Sequence, residues 1–121
     1  MKRQDTGNLG EKLAAGLIKK QGYAILQTNY RCREGEVDIV ARHKDCLVFV
    51  EVRTKRSSEF GSPEESITPA KMDKLRRVVA HYRQTHDDIP GSWRIDMVAV
   101  ELDQQNRLRR IELIENAVGE T

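Results

Sequence analysis

Aromatic residues are scarce in this sequence: Phe, Trp and Tyr make up 5% of its 121 residues. That weakens any reading built on base-stacking platforms, which need successive rings along a groove. Cysteine is scarcer still. Cys32 and Cys46 show no CxxC spacing, and no histidine stands at zinc-ligand distance from them, which argues against a structural zinc site. Reduced cysteines in a cytosolic protein are the simpler reading. No apolar run approaches the ~18 residues that would suggest a membrane span. The opening segment MKRQDTGNLGEK is charged, and no apolar stretch follows it as in a signal peptide. The expectation is a soluble, cytoplasmic protein with no membrane partner.

Charge is plentiful. Charged residues make up 33% of the chain and apolar residues 38%, and 21 basic side chains against 19 acidic ones leave a net charge of +2. This is the composition of one small, well-solvated domain spanning 1–121. The net charge is too small to establish a nucleic-acid partner. Its distribution says more. Arg53, Lys55 and Arg56 cluster, as do Lys71, Lys74, Arg76 and Arg77, and then Arg107, Arg109 and Arg110. Such clusters are either solvated polar faces or a track for a phosphate backbone.

The apolar pattern predicts a helix from about Asn8 to Gln21. Leu9, Leu13, Leu17 and Ile18 recur at helical spacing, Asn8 with Glu11 three residues on suggests an N-cap, and Gly22 suits the C′ position. Three strands follow: Tyr23–Tyr30, Glu36–His43 and Cys46–Lys55. Their short connections require antiparallel neighbours. The third run is apolar on both faces, as in a central strand covered on both sides. The segment Arg56–Ile67 is a loop by composition, of a length at which functional loops are enriched. Thr68 then caps a helix with Pro69 at its first position, running to about His86. Trp93–Leu102 reads as a strand, Asp103–Asn106 as a turn, and Leu108–Ile114 as a last strand. The tail after Glu115 reads as frayed. A strand–helix–strand passage implies a right-handed parallel crossover. The fold class is therefore α/β, a mixed sheet flanked by helices with an extra C-terminal strand.

Asp38 and Glu51 stand out in this frame. A hairpin closing at Lys44–Asp45 sets them opposite each other on one face, with Cβ atoms about 4.5–5.5 Å apart. Two carboxylates held so close repel, unless a cation lies between them or they join a salt-bridged pair with Arg53, two residues beyond Glu51 on the same face. Mg²⁺ and Mn²⁺ are hard ions commonly held by one or two carboxylates with water and substrate phosphates.

The order αβββαβ, with an acid on the second strand and E-x-(K/R) on the third, resembles the PD-(D/E)XK nuclease superfamily. More closely, the segments GEKLAAGLIKKQGYAIL, NYRCREGEVDIVA, LVFVEVRTK and WRIDMVAV are similar to the YraN family of bacterial proteins, related to archaeal Holliday-junction resolvases. The resemblance covers most of the chain. It implies a restriction-endonuclease-like core and a metal-dependent DNA endonuclease acting on branched or structured DNA. It places Asp38 at the first acid, with Gly-Glu-Val where the motif has its Pro, and Glu51 at the second. It matches Glu11 to a first-helix glutamate and sets Arg53 where the superfamily usually has Lys. A homodimer is expected from the resemblance alone.

The residue chemistry agrees with those roles. Asp38 and Glu51 would ligate Mg²⁺ or Mn²⁺, the backbone carbonyl of Val52 would be a third ligand, and Glu11 would hold a water or a second metal. Arg53 cannot act as a base, because its pKa lies above ~12; it orients substrate or stabilises developing charge. Lys55, Lys71 and the metal-bound hydroxide itself are the candidate bases, and Arg53, Lys55, Arg56, Lys71 and Lys74 the candidate contacts to nucleic acid. The missing Lys at position 53 motivates the alternative, a non-catalytic nucleic-acid-binding module that keeps the fold. Glu36 reads as a turn residue and Asp96 as the partner of Arg94. His43, His81 and His86 read as solvent-facing or helix-end residues, and Trp93 as an edge of the core.

Overall fold

A computed structural model of the chain describes residues 3–57 and 61–116, with side chains from residue 7 onward. The proposed tail beyond residue 116 and the middle of the Arg56–Ile67 loop lie outside the described residues. Among the described residues, helix α1 (Arg3–Lys20) leads into strands β1 (Ala24–Cys32), β2 (Gly35–His43) and β3 (Cys46–Arg56). Helix α2 (Pro69–Thr85) follows, and then β4 (Ser92–Leu102) and β5 (Leu108–Ile114). The sheet order is β1-β2-β3-β4-β5. Only the β3–β4 pair is parallel, as α2 crosses between them. A short 3-10 turn, Glu64–Ser66, occupies part of the expected loop.

The two helices cover opposite faces. Val48 and Val50 pack on the α1 side with Ala14 and Ile18. Leu47 and Phe49 pack on the α2 side with Leu75, Val78 and Tyr82. β3 is thus buried on both faces, as its double apolar pattern requires. Trp93 flanks the α2-side core, in keeping with its reading as a core-edge residue.

Helix α1 departs from the sequence expectation at its start. It begins at Arg3, so Asn8 lies within the helix, exposed, and is not its cap. The polar residues before Leu9 carry no periodicity to reveal this turn. The fully buried stripe is Gly10, Ala14 and Ile18, with the leucines half-buried beside it. Gly10 decides how closely the helix approaches the sheet, because a Cβ there would overlap the Thr54 hydroxyl of β3. At the other end Gly22 adopts φ +91°, the left-handed conformation expected after a helix. Thr68 caps α2 as predicted: its Oγ accepts the Lys71 N–H at 3.2 Å.

Candidate metal and nucleic-acid site

The hairpin register comes first, because it builds the site. Lys44, at φ 57°, turns the tip. His43 pairs with Cys46, and the ladder runs to Ile39 opposite Val50. One further step sets Asp38 opposite Glu51, but the ladder has ended. β3 stays paired with β4 as far as Arg56 opposite Leu102, so β2 leaves β3 at Asp38. Val37 and Val40 both join the α2-side core, which breaks the strict alternation of faces where Asp38 lies. In place of the next backbone partner, the Val52 N–H donates to Asp38 Oδ2 at 2.7 Å. The N–H and C=O of one strand residue point to the same side. The Val52 carbonyl therefore also faces the gap opened by β2.

Glu51 is the strained member of the pair. Its side chain is 12% exposed. Burial, then the charge of Asp38 and a hydrogen bond between the two carboxyls, push its pKa up to about 8. The Arg53 and Lys71 charges pull the other way and do not prevail. Arg53 Nη2 lies 2.7 Å from Glu51 Oε2, while Arg53 Nε is buried with no hydrogen-bond partner among the described residues.

These residues line a cleft of about 550 Å³ between the β2–β3 fork and the N-terminal half of α2. Asp38, Glu51, Val52 and Arg53 form one wall, and Lys71 and Lys74 reach in from α2. Lys71 is steadied by a 3.2 Å bond from its Nζ to the Ser66 carbonyl. Glu11 is not among the lining residues. It arrives on α1, close enough for the Asp38 and Glu36 charges to add to the effect of its own burial and raise its pKa. Lys55 does not line the cleft. Arg56 lines a separate cavity with Glu101, Arg109 and Arg110.

Five lining residues, Arg31, Cys32, Gly35, Glu36 and Leu75, were not among the site residues read from the sequence. Arg31 and Cys32 sit at the end of β1, and nothing local in their segment signals that this end borders the acids. Glu36 is a strand residue, not a turn residue, and pairs with Arg31 at 3.0 Å. His43 is half-buried, not solvent-facing. Its ring stacks on Tyr23 with centroids 4.3 Å apart, and its Nδ1 accepts from Arg94. His86 ends α2 and stacks on Tyr82, and His81 meets the Tyr30 hydroxyl at 2.9 Å. Asp96 is fully buried and is the partner of Arg94, as read from the sequence. Arg94 Nε lies 2.9 Å from Asp96 Oδ1, and Tyr23 Oη donates to Asp96 Oδ2 at 2.7 Å. Arg94 shares the α1 face with Val98 and Val100, so this network lies across the sheet from the cleft.

Among the described residues, no group of three His, Cys, Asp or Glu side chains is arranged to hold a metal ion. The donor set at the fork is two carboxylates and a backbone carbonyl, all hard oxygens. Such a set suits a small divalent ion that keeps several waters. Among the described residues, no helix is long and apolar enough to cross a membrane.

The fold and its cleft define a class: a restriction-endonuclease-like α/β domain with a carboxylate pair where β2 parts from β3. The comparisons narrow this. A family model described as "Uncharacterised protein family UPF0102" matches residues 10–100. A UPF0102 protein of Dehalococcoides mccartyi is 49% identical over 118 residues, covering 98% of this chain and 96% of the relative. One from Moorella thermoacetica is 45% identical over 117 residues, covering 97% and 98%. One from Streptomyces griseus is 47% identical over 95 residues, covering 78% and 80%. The chain belongs to the UPF0102 family, the YraN family of the sequence resemblance.

Proposed function

We propose that this protein is a metal-dependent endonuclease that hydrolyses phosphodiester bonds of DNA in the cleft between the β2–β3 fork and α2. One observation carries the reading. The fold buries Glu51 beside Asp38, and burial first, then the Asp38 charge, raise the Glu51 pKa to about 8, an arrangement that costs stability unless a cation joins the two acids. Asp38, Glu51 and the Val52 carbonyl would hold Mg²⁺ or Mn²⁺. A bound ion of this kind supplies Lewis-acid polarisation of a phosphate oxygen and lowers the pKa of water.

The protein's own groups do the rest. Arg53 keeps its charge at every accessible pH and is anchored on Glu51. The exposed part of its guanidinium, at the cleft wall, is a donor for a non-bridging phosphate oxygen. Lys71 and Lys74 line the opposite wall and steer the polyanion into the cleft. Glu11 stands behind Asp38 and adds negative charge.

The test incubates the protein with four-way junction, flap and linear DNA in Mg²⁺ or Mn²⁺. Cleavage that is abolished by chelator, by Asp38→Ala and by Glu51→Ala is expected. No cleavage of any substrate, or cleavage that survives both substitutions, overturns the reading. The Arg53–Glu51 ion pair favours a second reading, a binding module without catalysis. It predicts salt-sensitive DNA binding, with a strand that is never cut.

A further inference from the structure

The five-stranded sheet ends in two unlike edges. An open edge offers unpaired backbone N–H and C=O groups to another strand, and folded proteins blunt such edges with bulges and twists. The β1 edge is blunted in this way. Its register slips between Ile25 and Gln27, and Asn29 takes φ 53° in mid-strand. The β5 edge is different. After a slip near Leu108, Arg110 to Ile114 run in unbroken register along β4. Ile111 and Leu113 pack on the α1-side core yet stay half-buried at this border. Leu108 beside them is 46% exposed.

The sequence of this run is complementary to itself. A two-fold axis normal to a sheet brings two copies of one strand together antiparallel, and it opposes residues of the same face. The axis must therefore pass through a residue. On Arg110 it would oppose arginine to arginine. On Glu112 it would oppose glutamate to glutamate. On Ile111 it opposes Ile111 to its own copy and Arg110 to Glu112 of the other copy, twice. Cross-strand pairs of opposite charge stabilise and like pairs destabilise, and of the registers open to the run Arg110 to Ile114 only the one about Ile111 makes two opposite-charge pairs. Arg110 holds a fixed place on this strand. Its guanidinium is held by Glu101, by Glu64 at 2.8 Å and by Glu112 at 3.0 Å. The Glu112 side chain is 55% exposed and open to a second arginine.

The geometry points to a homodimer built on β5, in which two copies pair antiparallel about Ile111 and join their sheets into one. Each interface is isologous, as closed two-fold assemblies require, and the mode is strand addition at a sheet edge. The two clefts then open on the same side of the joined sheet. This inference rests on β5 and not on the chemistry proposed for the cleft.

Sedimentation velocity of the full chain over a range of concentrations reads the dimer. Glu112→Arg sets Arg110 against arginine at both ends of the pairing and raises the dissociation constant at least tenfold. A cysteine series in a Cys32→Ser, Cys46→Ser background reads the register independently. Ile111→Cys, on the axis, crosslinks to its own copy under mild oxidation, whereas Leu113→Cys does not. A wild-type chain that stays monomeric, a dimer indifferent to Glu112→Arg, or equal crosslinking at both positions overturns the inference.

Discussion

Asp38 and Glu51 face each other one step beyond the last paired residues of β2 and β3, Ile39 and Val50. Asp38 takes the Val52 N–H on its carboxylate at 2.7 Å, leaving Glu51 to absorb the repulsion. This relationship gives the cleft its electrostatics, and the stability of the fold registers it.

Stability depends on pH through Glu51. Its folded pKa is about 8, against an ordinary value of 4.5. Between those values the folded chain keeps a proton that the unfolded chain has lost, so stability falls as pH rises through this window. The slope is about 1.4 kcal/mol for each pH unit within the window. Urea unfolding at intervals from pH 4.5 to 9 will show this decline, and Glu51→Gln will flatten it. A Glu51→Gln profile parallel to that of the wild type contradicts the assignment.

Two changes at Asp38 separate charge from hydrogen bonding. Asp38→Asn removes the repulsion and keeps an oxygen for the Val52 N–H. Asp38→Ala removes both. Above pH 8, Asp38→Asn is expected to be more stable than the wild type. Asp38→Ala should fall below Asp38→Asn by about 1 kcal/mol, the net worth of one hydrogen bond. Equal stability of the two variants denies Asp38 its place in closing the fork.

The hairpin and its acid pair were legible because a two-residue tip fixes the register of everything behind it, and Lys44–Asp45 were readable as that tip. The double apolar pattern of Cys46–Lys55 likewise revealed the central strand. What escaped depends on long-range packing. Arg31 and Cys32 border the acids only because β1 lies beside β2. His43 looked exposed at a hairpin tip until Tyr23 and Arg94 were brought to it from far along the chain. Lys55 and Arg56 share a basic run with Arg53, but the cleft ends before them. In α1, Gly10 belongs to the buried stripe although the apolar pattern of Leu9, Leu13, Leu17 and Ile18 passes over it, because close approach there needs the absence of a side chain.

Gly10 yields a prediction of its own. A Cβ there meets Thr54, so Gly10→Ala should lift the adjoining turn of α1. Overpacking of this kind costs about 1–3 kcal/mol, offset in part by the better helix propensity of alanine. Thermal unfolding will show a lower midpoint, and Thr54→Ser, which retains the hydroxyl, will not rescue it. Thr54→Ala should do so in part. A midpoint raised by Gly10→Ala alone contradicts the contact.

The Arg94–Asp96 pair is a structural ion pair on the α1 side of the sheet. Asp96 is fully buried and also holds the Tyr23 hydroxyl and the Asn116 N–H. Removing one partner leaves the other uncompensated, so Asp96→Ala should cost about 3–5 kcal/mol. Denaturant unfolding measures this loss. A cost below about 1 kcal/mol would mean that the pair is not the buried, bonded unit described above.

The central claim is that the acids at the fork are held together for a divalent cation. Calorimetric titration of the full chain with Mn²⁺ at pH 7, in two buffers of different ionisation enthalpy, tests it most directly. Saturable binding at millimolar concentration or below is expected, with heats that differ between the buffers because Glu51 releases its proton, and with binding abolished by Glu51→Ala. No saturable heat, or binding that Glu51→Ala leaves intact, would contradict the claim.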